Sequence, residues 1–155
     1  VKQIDITSDA INPDDLDELS DLLTAALNMA LTESRESSQS EMKKITGGGW
    51  VSGTSNHPPF GRFTVNVKNP DHPCSTGLTD FETDDESYCD LDLQPGIDVF
   101  LSAMIEGVER PMAWTHQYGK GRVFTSVLGH DAASFQAPEL RRLIVNGVRW
   151  VIGQD

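Results

Sequence analysis

The sequence predicts an α/β protein: one long amphipathic helix, a set of strands, and a closing helix. Three observations lead there. Apolar residues recur at three- and four-residue spacing from Leu16 to Ala30, the period of a helix with one buried stripe. Phe63, Val65 and Val67 alternate with polar residues, the period of a half-buried strand. After Pro138 the helical period returns. The change of pattern falls at Gly47-Gly48-Gly49, and all four histidines and all three tryptophans lie beyond it.

Taken in order, Val1, Ile4 and Ile6 predict a short strand. Asn12 then serves as a helix cap, with Pro13 in the first helical position and Asp14 and Asp15 favoured by the positive end of the helix dipole. Leu16, Leu19, Leu23, Ala26, Leu27 and Ala30 form the apolar stripe. Residues 33–44 are far more polar. Lys43 and Lys44 stand in the last turn and Gly47 follows, as a helix end prefers. A continuous helix of roughly 30 residues would run about 45 Å. Gly47-Gly48-Gly49 reads as a helix stop or hinge.

The second region holds the strands. Residues 97–105 predict one, stopped by Gly107 and Pro111. Residues 112–118 and 122–128 predict a hairpin across Gly119-Lys120-Gly121, where glycine tolerates the positive φ of a tight turn. A mixed sheet is expected. Pro138 opens the last helix, whose buried face is read as Leu140, Leu143, Ile144, Gly147, Val148 and Val151.

Composition bounds the function. The 155 residues are 37% hydrophobic and 23% charged, a globular balance, with a formal charge of -12. Residues 1–46 hold four basic and ten acidic side chains; residues 47–155 hold eight and fourteen. Neither region has the basic stripe that contact with a phosphate backbone needs, so nucleic acid is not expected as a partner. No apolar run approaches the ~20 residues of a membrane span, and no membrane partner is expected. Cys74 and Cys89 lack metal or redox spacing; they read as two unpaired small residues, or as one bridge in an exported protein. Gly119-Lys120-Gly121 lacks the spacing of a phosphate loop, and neither cysteine sits in a nucleophile elbow. No cofactor is expected.

The chemistry-bearing residues are few. His130 follows an apolar strand and precedes a loop into the last helix, where α/β sheets gather ligands. It reads as a site residue or as a loop histidine orienting its turn. His57 is held in an extended loop by Pro58-Pro59. His72, before Pro73, reads as a turn hydrogen-bonder, and His116, inside a strand, as a structural histidine. A metal on His57, His130 and a carboxylate would lack paired-ligand spacing, so none is expected. Asp84-Asp85-Glu86 fits a solvated acidic turn, which is the better reading for Asp84. Glu86 and Tyr88 pair an acid with an aromatic ring, which suits sugar hydroxyls and sugar faces, although one carboxylate does not make a glycosidase.

Two family resemblances sit on either side of the glycines. Leu19-Ser20-Asp21-Leu22-Leu23, Ala25-Ala26-Leu27-Asn28-Met29-Ala30 and Glu41-Met42-Lys43-Lys44-Ile45-Thr46-Gly47-Gly48 resemble the C-terminal half of the YbaB/EbfC nucleoid-associated family. That likeness implies a DNA-binding homodimer, with a homo-oligomer or a YbaB-like partner reached through the helix. His57-Pro58-Pro59-Phe60, Asp71-His72-Pro73, Asp85-Glu86-Ser87-Tyr88, Pro111-Met112-Ala113-Trp114-Thr115-His116 and Leu128-Gly129-His130 resemble the second half of the ThuA-like family. Gly147-Val148-Arg149-Trp150 completes the match. This implies a truncated amidotransferase-like, flavodoxin-like sheet with the long helix appended, divided as residues 1–47 and 48–155.

The second resemblance implies a cleft for a carbohydrate-derived small molecule in a cytoplasmic protein. His130, Glu86 and His57 would be its catalytic candidates, with Tyr88, His116 and Trp114 on the substrate. His130 and Glu86 would have to meet at one end of the sheet. Three readings of the whole follow: a ThuA-like domain, a nucleoid-associated remnant, or a fusion without an integrated function.

Overall fold

The structure is a computed structural model that describes Asp5 and residues 16–154. The predicted strand at Val1–Ile6 and the cap at Asn12-Pro13 lie outside the described residues. The chain divides into two compact units, Val1–Glu41 and Met42–Asp155.

The first unit carries most of α1, Leu16–Thr46, whose first turn holds Asp17 and Glu18. Leu19, Leu23 and Ala30 of the expected stripe are half-buried, whereas Ala26 and Leu27 are exposed, as are Leu22, Met29 and Leu31. No described helix is long and apolar enough to cross a membrane.

The second unit opens with the last turn of α1. Its end is chemically explicit: Gly47 adopts φ 77° and its N–H donates to Lys43 O at 2.9 Å, a left-handed helix cap. The glycines are a stop and a packing contact rather than a hinge. A Cβ on Gly48 would come within 2.6 Å of Leu93 and 3.0 Å of Trp114. Strand β1, Gly48–Gly49, pairs antiparallel with β4, Asp92–Leu93.

The main sheet has five strands: β2 (Gly61–Val67), β3 (Phe81–Asp85), β5 (Asp98–Ile105), β6 (Val108–Tyr118) and β7 (Gly121–Ser126). Their order is β3-β2-β5-β6-β7, and every pairing is antiparallel. The mixed sheet expected from sequence is therefore corrected. Tight turns explain why: Glu106 and Gly107 both take positive φ between paired Ile105 and Val108, and Gly119 does so between Tyr118 and Gly121. Two-residue loops of this kind join antiparallel neighbours. Pro111 does not stop a strand, because it lies within β6 beside the register shifts of β5, where proline is tolerated.

Phe100, Leu101, Ser102 and Ala103 are buried in succession, so the middle of the sheet is covered on both faces. Helix α2, Pro138–Val151, buries Leu140 and Leu143, each worth about 2 kcal/mol of apolar transfer. Its buried face is narrower than the sequence implied. Ile144 is half-buried, Val148 and Val151 are exposed, and the polar Asn146 takes an inner position. Asn146 donates to Cys74 O at 3.1 Å and Thr76 O at 2.9 Å, so its burial leaves no donor wasted. Gly147 is required by close approach, since a Cβ would meet the Phe124 ring at 2.6 Å. Cys74 and Cys89 are buried.

His72 makes the turn hydrogen bond read from sequence. Its Nδ1 accepts from Cys74 N–H at 3.1 Å, capping the short 3-10 turn Pro73–Ser75, and Nε2 lies 3.0 Å from Thr115 Oγ1. The ring stacks on Phe100 with centroids 4.5 Å apart. Burial lowers its pKa from the ordinary 6.5, only partly opposed by the charge of Asp98. A depressed histidine pKa means that the fold prefers the neutral ring. That stability is complete above the unfolded value and declines as pH falls toward the folded one. We predict that melting temperature drops as pH is lowered below about 6.5, and that His72→Gln has a shallower decline over that window. Parallel pH profiles for the two proteins would contradict this.

Candidate functional site

The site begins with a buried charge. Strand β3 points Phe81, Thr83 and Asp85 inward, and Asp85 is only 1% exposed. Its Oδ1 accepts Glu86 N–H at 2.8 Å and His130 N–H at 3.0 Å, while Oδ2 accepts Gly129 N–H at 2.7 Å. Three backbone donors offset the desolvation of the carboxylate. They also join the end of β3 to the segment after β7, although these are the two edge strands of the sheet. The sheet curls, and its edges converge here. Gly129 takes φ 104°, and a Cβ there would meet the Phe135 ring at 2.9 Å, so the clasp needs glycine on both counts.

Glu86, next in the chain, turns the other way. Its Oε1 lies 3.0 Å from His57 Nδ1 and its Oε2 3.1 Å from His130 Nδ1. One carboxylate thus bridges two imidazoles. An ionised carboxylate only accepts, so each ring presents Nδ1–H to it, and the neutral form of each ring carries its lone pair on Nε2. Tyr88 OH is 3.1 Å from His130 Nδ1. Burial, followed by the charge of Glu86, raises the Tyr88 pKa and keeps the phenol a donor. Trp50 stands edge-on to Tyr88 at 5.8 Å and tilted to His57 at 6.0 Å.

Beside this cluster opens a cavity of about 520 Å³. Trp50, Tyr88, Leu91, Trp114 and Val127 give it apolar walls, and Glu86 and His57 give it a polar end. Trp114 Nε1–H and Thr125 Oγ1–H both donate to Thr46 O at 2.8 Å, which fixes the indole with its hydrogen-bonding need met. A mostly apolar concavity with a few convergent polar groups is the usual form of a small-molecule site.

Of the six residues singled out from sequence, the structure brings together Glu86, His57, His130 and Tyr88, and puts Trp114 in the adjoining wall. His130 touches the cluster without lining the cavity. His116 lies outside both: its Nε2 is 3.4 Å from Lys44 O, and its ring packs beneath Gly47. Asp84 pairs with Arg62 at 2.7 Å in the open, where the guanidinium lowers its pKa. Two residues escaped the reading. Asp85 looked like part of an acidic turn; the period-two inward pattern of Phe81 and Thr83 was the available signal. Trp50 followed a glycine run with no periodicity to place it. Among the described residues, no group of three or more His, Cys, Asp or Glu is disposed to hold a metal ion.

The architecture is that of ThuA-like proteins. A putative ThuA-like protein from Parabacteroides merdae superposes with a TM-score of 0.63 at 22% identity, covering 72% of this chain and 54% of the other. One from Bacteroides uniformis gives 0.56 at 23% identity, covering 73% and 51%. The sequence model of the ThuA family, described as trehalose utilisation, matches residues 8–151, and the chain belongs to that family. A shorter likeness overlaps it. Nucleoid-associated proteins of Lachnospira eligens and Myxococcus xanthus are each 48% identical over 48 residues, 31% of this chain and 41% and 46% of theirs. The chain spans less than half the length of these relatives and about half that of the solved structures.

The clasp yields a direct test. Asp85→Ala leaves three partly buried N–H groups without their acceptor and should cost about 3 kcal/mol in urea denaturation, with faster amide exchange at Gly129 and His130. Asp84→Ala, which removes a solvent-screened surface pair, should cost much less. Equal losses for the two would contradict the role of Asp85.

Proposed function

We propose that the second unit binds a carbohydrate-derived small molecule in the cavity beside Glu86. The observation that carries this reading is the pairing of aromatic walls with a carboxylate that holds two imidazoles. Trp50, Tyr88 and Trp114 offer flat apolar surfaces for the C–H faces of a sugar ring. Glu86, His57 and the Tyr88 phenol offer acceptors and donors for its hydroxyls. Should a step be catalysed there, the free Nε2 atoms of His57 and His130 are its acid–base groups, oriented by Glu86. Glycoside hydrolysis by two carboxylates is not supported, because Glu86 is the one acid of the lining and Asp85 is committed to backbone N–H groups. The family description supports trehalose and related saccharides as the first compounds to try. The buried thiols of Cys74 and Cys89 favour a reducing, cytoplasmic setting.

A second reading concerns the segment shared with nucleoid-associated proteins. Its exposed Leu22, Leu27 and Met29 favour association with another helix, whether from a second copy or from a YbaB-like partner. With ten acidic side chains against four basic ones over residues 1–46, a protein partner fits better than DNA.

The test of the first reading is a titration of the protein with trehalose, other disaccharides and monosaccharides, followed by tryptophan fluorescence and calorimetry. We expect saturable binding of at least one saccharide, weakened about tenfold or more by Glu86→Gln and by Trp50→Ala. No saturable response across the panel, or equal affinity in both variants, would overturn it.

A further inference from the structure

A second concave surface carries arginines where the first carries a carboxylate and an imidazole. Between α2 and the turn that follows Pro73–Ser75 lies a cavity of about 460 Å³, bordered by Arg141, Arg142, Arg149, Thr76, Gly77 and Asn146. A smaller hollow of about 150 Å³ continues from it and shares Thr76, Asn146 and Arg149. Among the described residues, no acidic one lines either. In a chain with 24 acidic and 12 basic side chains, three arginines on one concavity, with no acid among its described lining residues, is a local reversal of charge.

Elsewhere in the second unit, four basic side chains pair with carboxylates. Lys43 pairs with Asp92, Arg62 with Asp84, Lys68 with Glu109 and Arg110 with Asp90. Among the described residues, Arg141, Arg142 and Arg149 make no such pair. Two are instead held in place by neutral acceptors: Arg142 Nη1 donates to Gly77 O at 2.7 Å, and Arg141 Nη1 to Phe135 O at 2.9 Å. A carbonyl fixes a guanidinium without cancelling its charge, and it leaves the other N–H groups free for a ligand. Gly77 is part of the arrangement. It takes φ 68°, and a Cβ there would meet Arg142 Nη1 at 2.5 Å. The wall behind is stiff, because Asn146 ties α2 to Cys74 O and Thr76 O.

We propose that this cavity is an anion site for the phosphate group of a small molecule, either inorganic phosphate or a phosphate monoester. Guanidinium forks match phosphate oxygens in geometry as well as charge. Because Arg141 and Arg142 are already tethered, little side-chain freedom is lost on binding. Thr76 supplies a hydroxyl donor at the same rim. A nucleic-acid backbone is the poorer occupant, since the net charge of -12 repels an extended polyanion whereas one phosphate meets only the local field. The proposal does not rest on the saccharide reading of the first cavity.

The experiment is an NMR titration of the full chain with inorganic phosphate, with glycerol phosphate and with a short DNA duplex, at constant ionic strength set by chloride. We expect saturable shifts at the amides of Thr76, Gly77 and Asn146 with phosphate or the monoester. Saturation by inorganic phosphate alone would identify the free ion as the ligand, and a tighter monoester would identify the organic source. Arg149→Gln should weaken binding about tenfold, and Arg142→Gln should do the same, while the remote Arg62→Gln should leave it unchanged. Among the described residues, Arg149 makes no side-chain bond that its loss would break, so its variant separates binding from folding. Shifts that grow linearly without saturating would mark an adventitious ion only and overturn the proposal. Unchanged affinity in Arg149→Gln, or DNA binding more tightly than the monoester at these amides, would do so too.

Discussion

The buried carboxylate of Asp85 is the contact on which the candidate site depends. Strand β3 and strand β7 are the opposite edges of a five-stranded sheet, and nothing in the pairing order requires them to meet. Three backbone N–H groups converge on Asp85, two from Gly129 and His130 and one from Glu86. The first two close the curl of the sheet; the third fixes the direction in which Glu86 leaves the strand. Glu86 and His130 are therefore neighbours because a residue outside the lining of the candidate cavity binds the backbones of both. An apolar side chain at that position would avoid the cost of burying a charge, yet it would leave the donors without partners, which is the more expensive outcome.

Local periodicity carried most of the fold. The strands at 61–67 and 98–105, the hairpin across Gly119 and the helix from Pro138 all follow from patterns spanning a few residues, where pleat, turn and proline geometry act over short range. The failures are long-range. Whether the sheet is mixed or antiparallel depends on pairings between distant segments. Pro111 appeared to be a strand breaker because the register shifts of β5 beside it are invisible in one strand alone. The exposed Val148 and Val151 matched the helical period of α2, but the sheet offers that helix only a narrow contact, and Asn146 claims part of it.

The site shows the same division. Glu86, Tyr88, His57 and His130 were legible as a set because acid, aromatic and imidazole groups flank rigid loops and strand ends. Their meeting was legible only through likeness to a family. Asp85 was not legible as a clasp, since its partners lie 44 and 45 positions away and are backbone groups, which carry no side-chain signature. His116 shows the converse. Its imidazole suggested chemistry, and the structure uses it as packing under the glycine that ends α1.

The central claim is that Glu86 holds His57 and His130 through their Nδ1 atoms, whereas His72 uses Nδ1 as an acceptor. Long-range ¹H–¹⁵N correlation spectra of the imidazoles in mildly alkaline buffer read the proton's position on each ring directly. The account predicts Nδ1–H for His57 and His130 and Nε2–H for His72, with His57 and His130 losing that preference in Glu86→Gln. Nε2–H forms for His57 and His130 in the unaltered protein would contradict it.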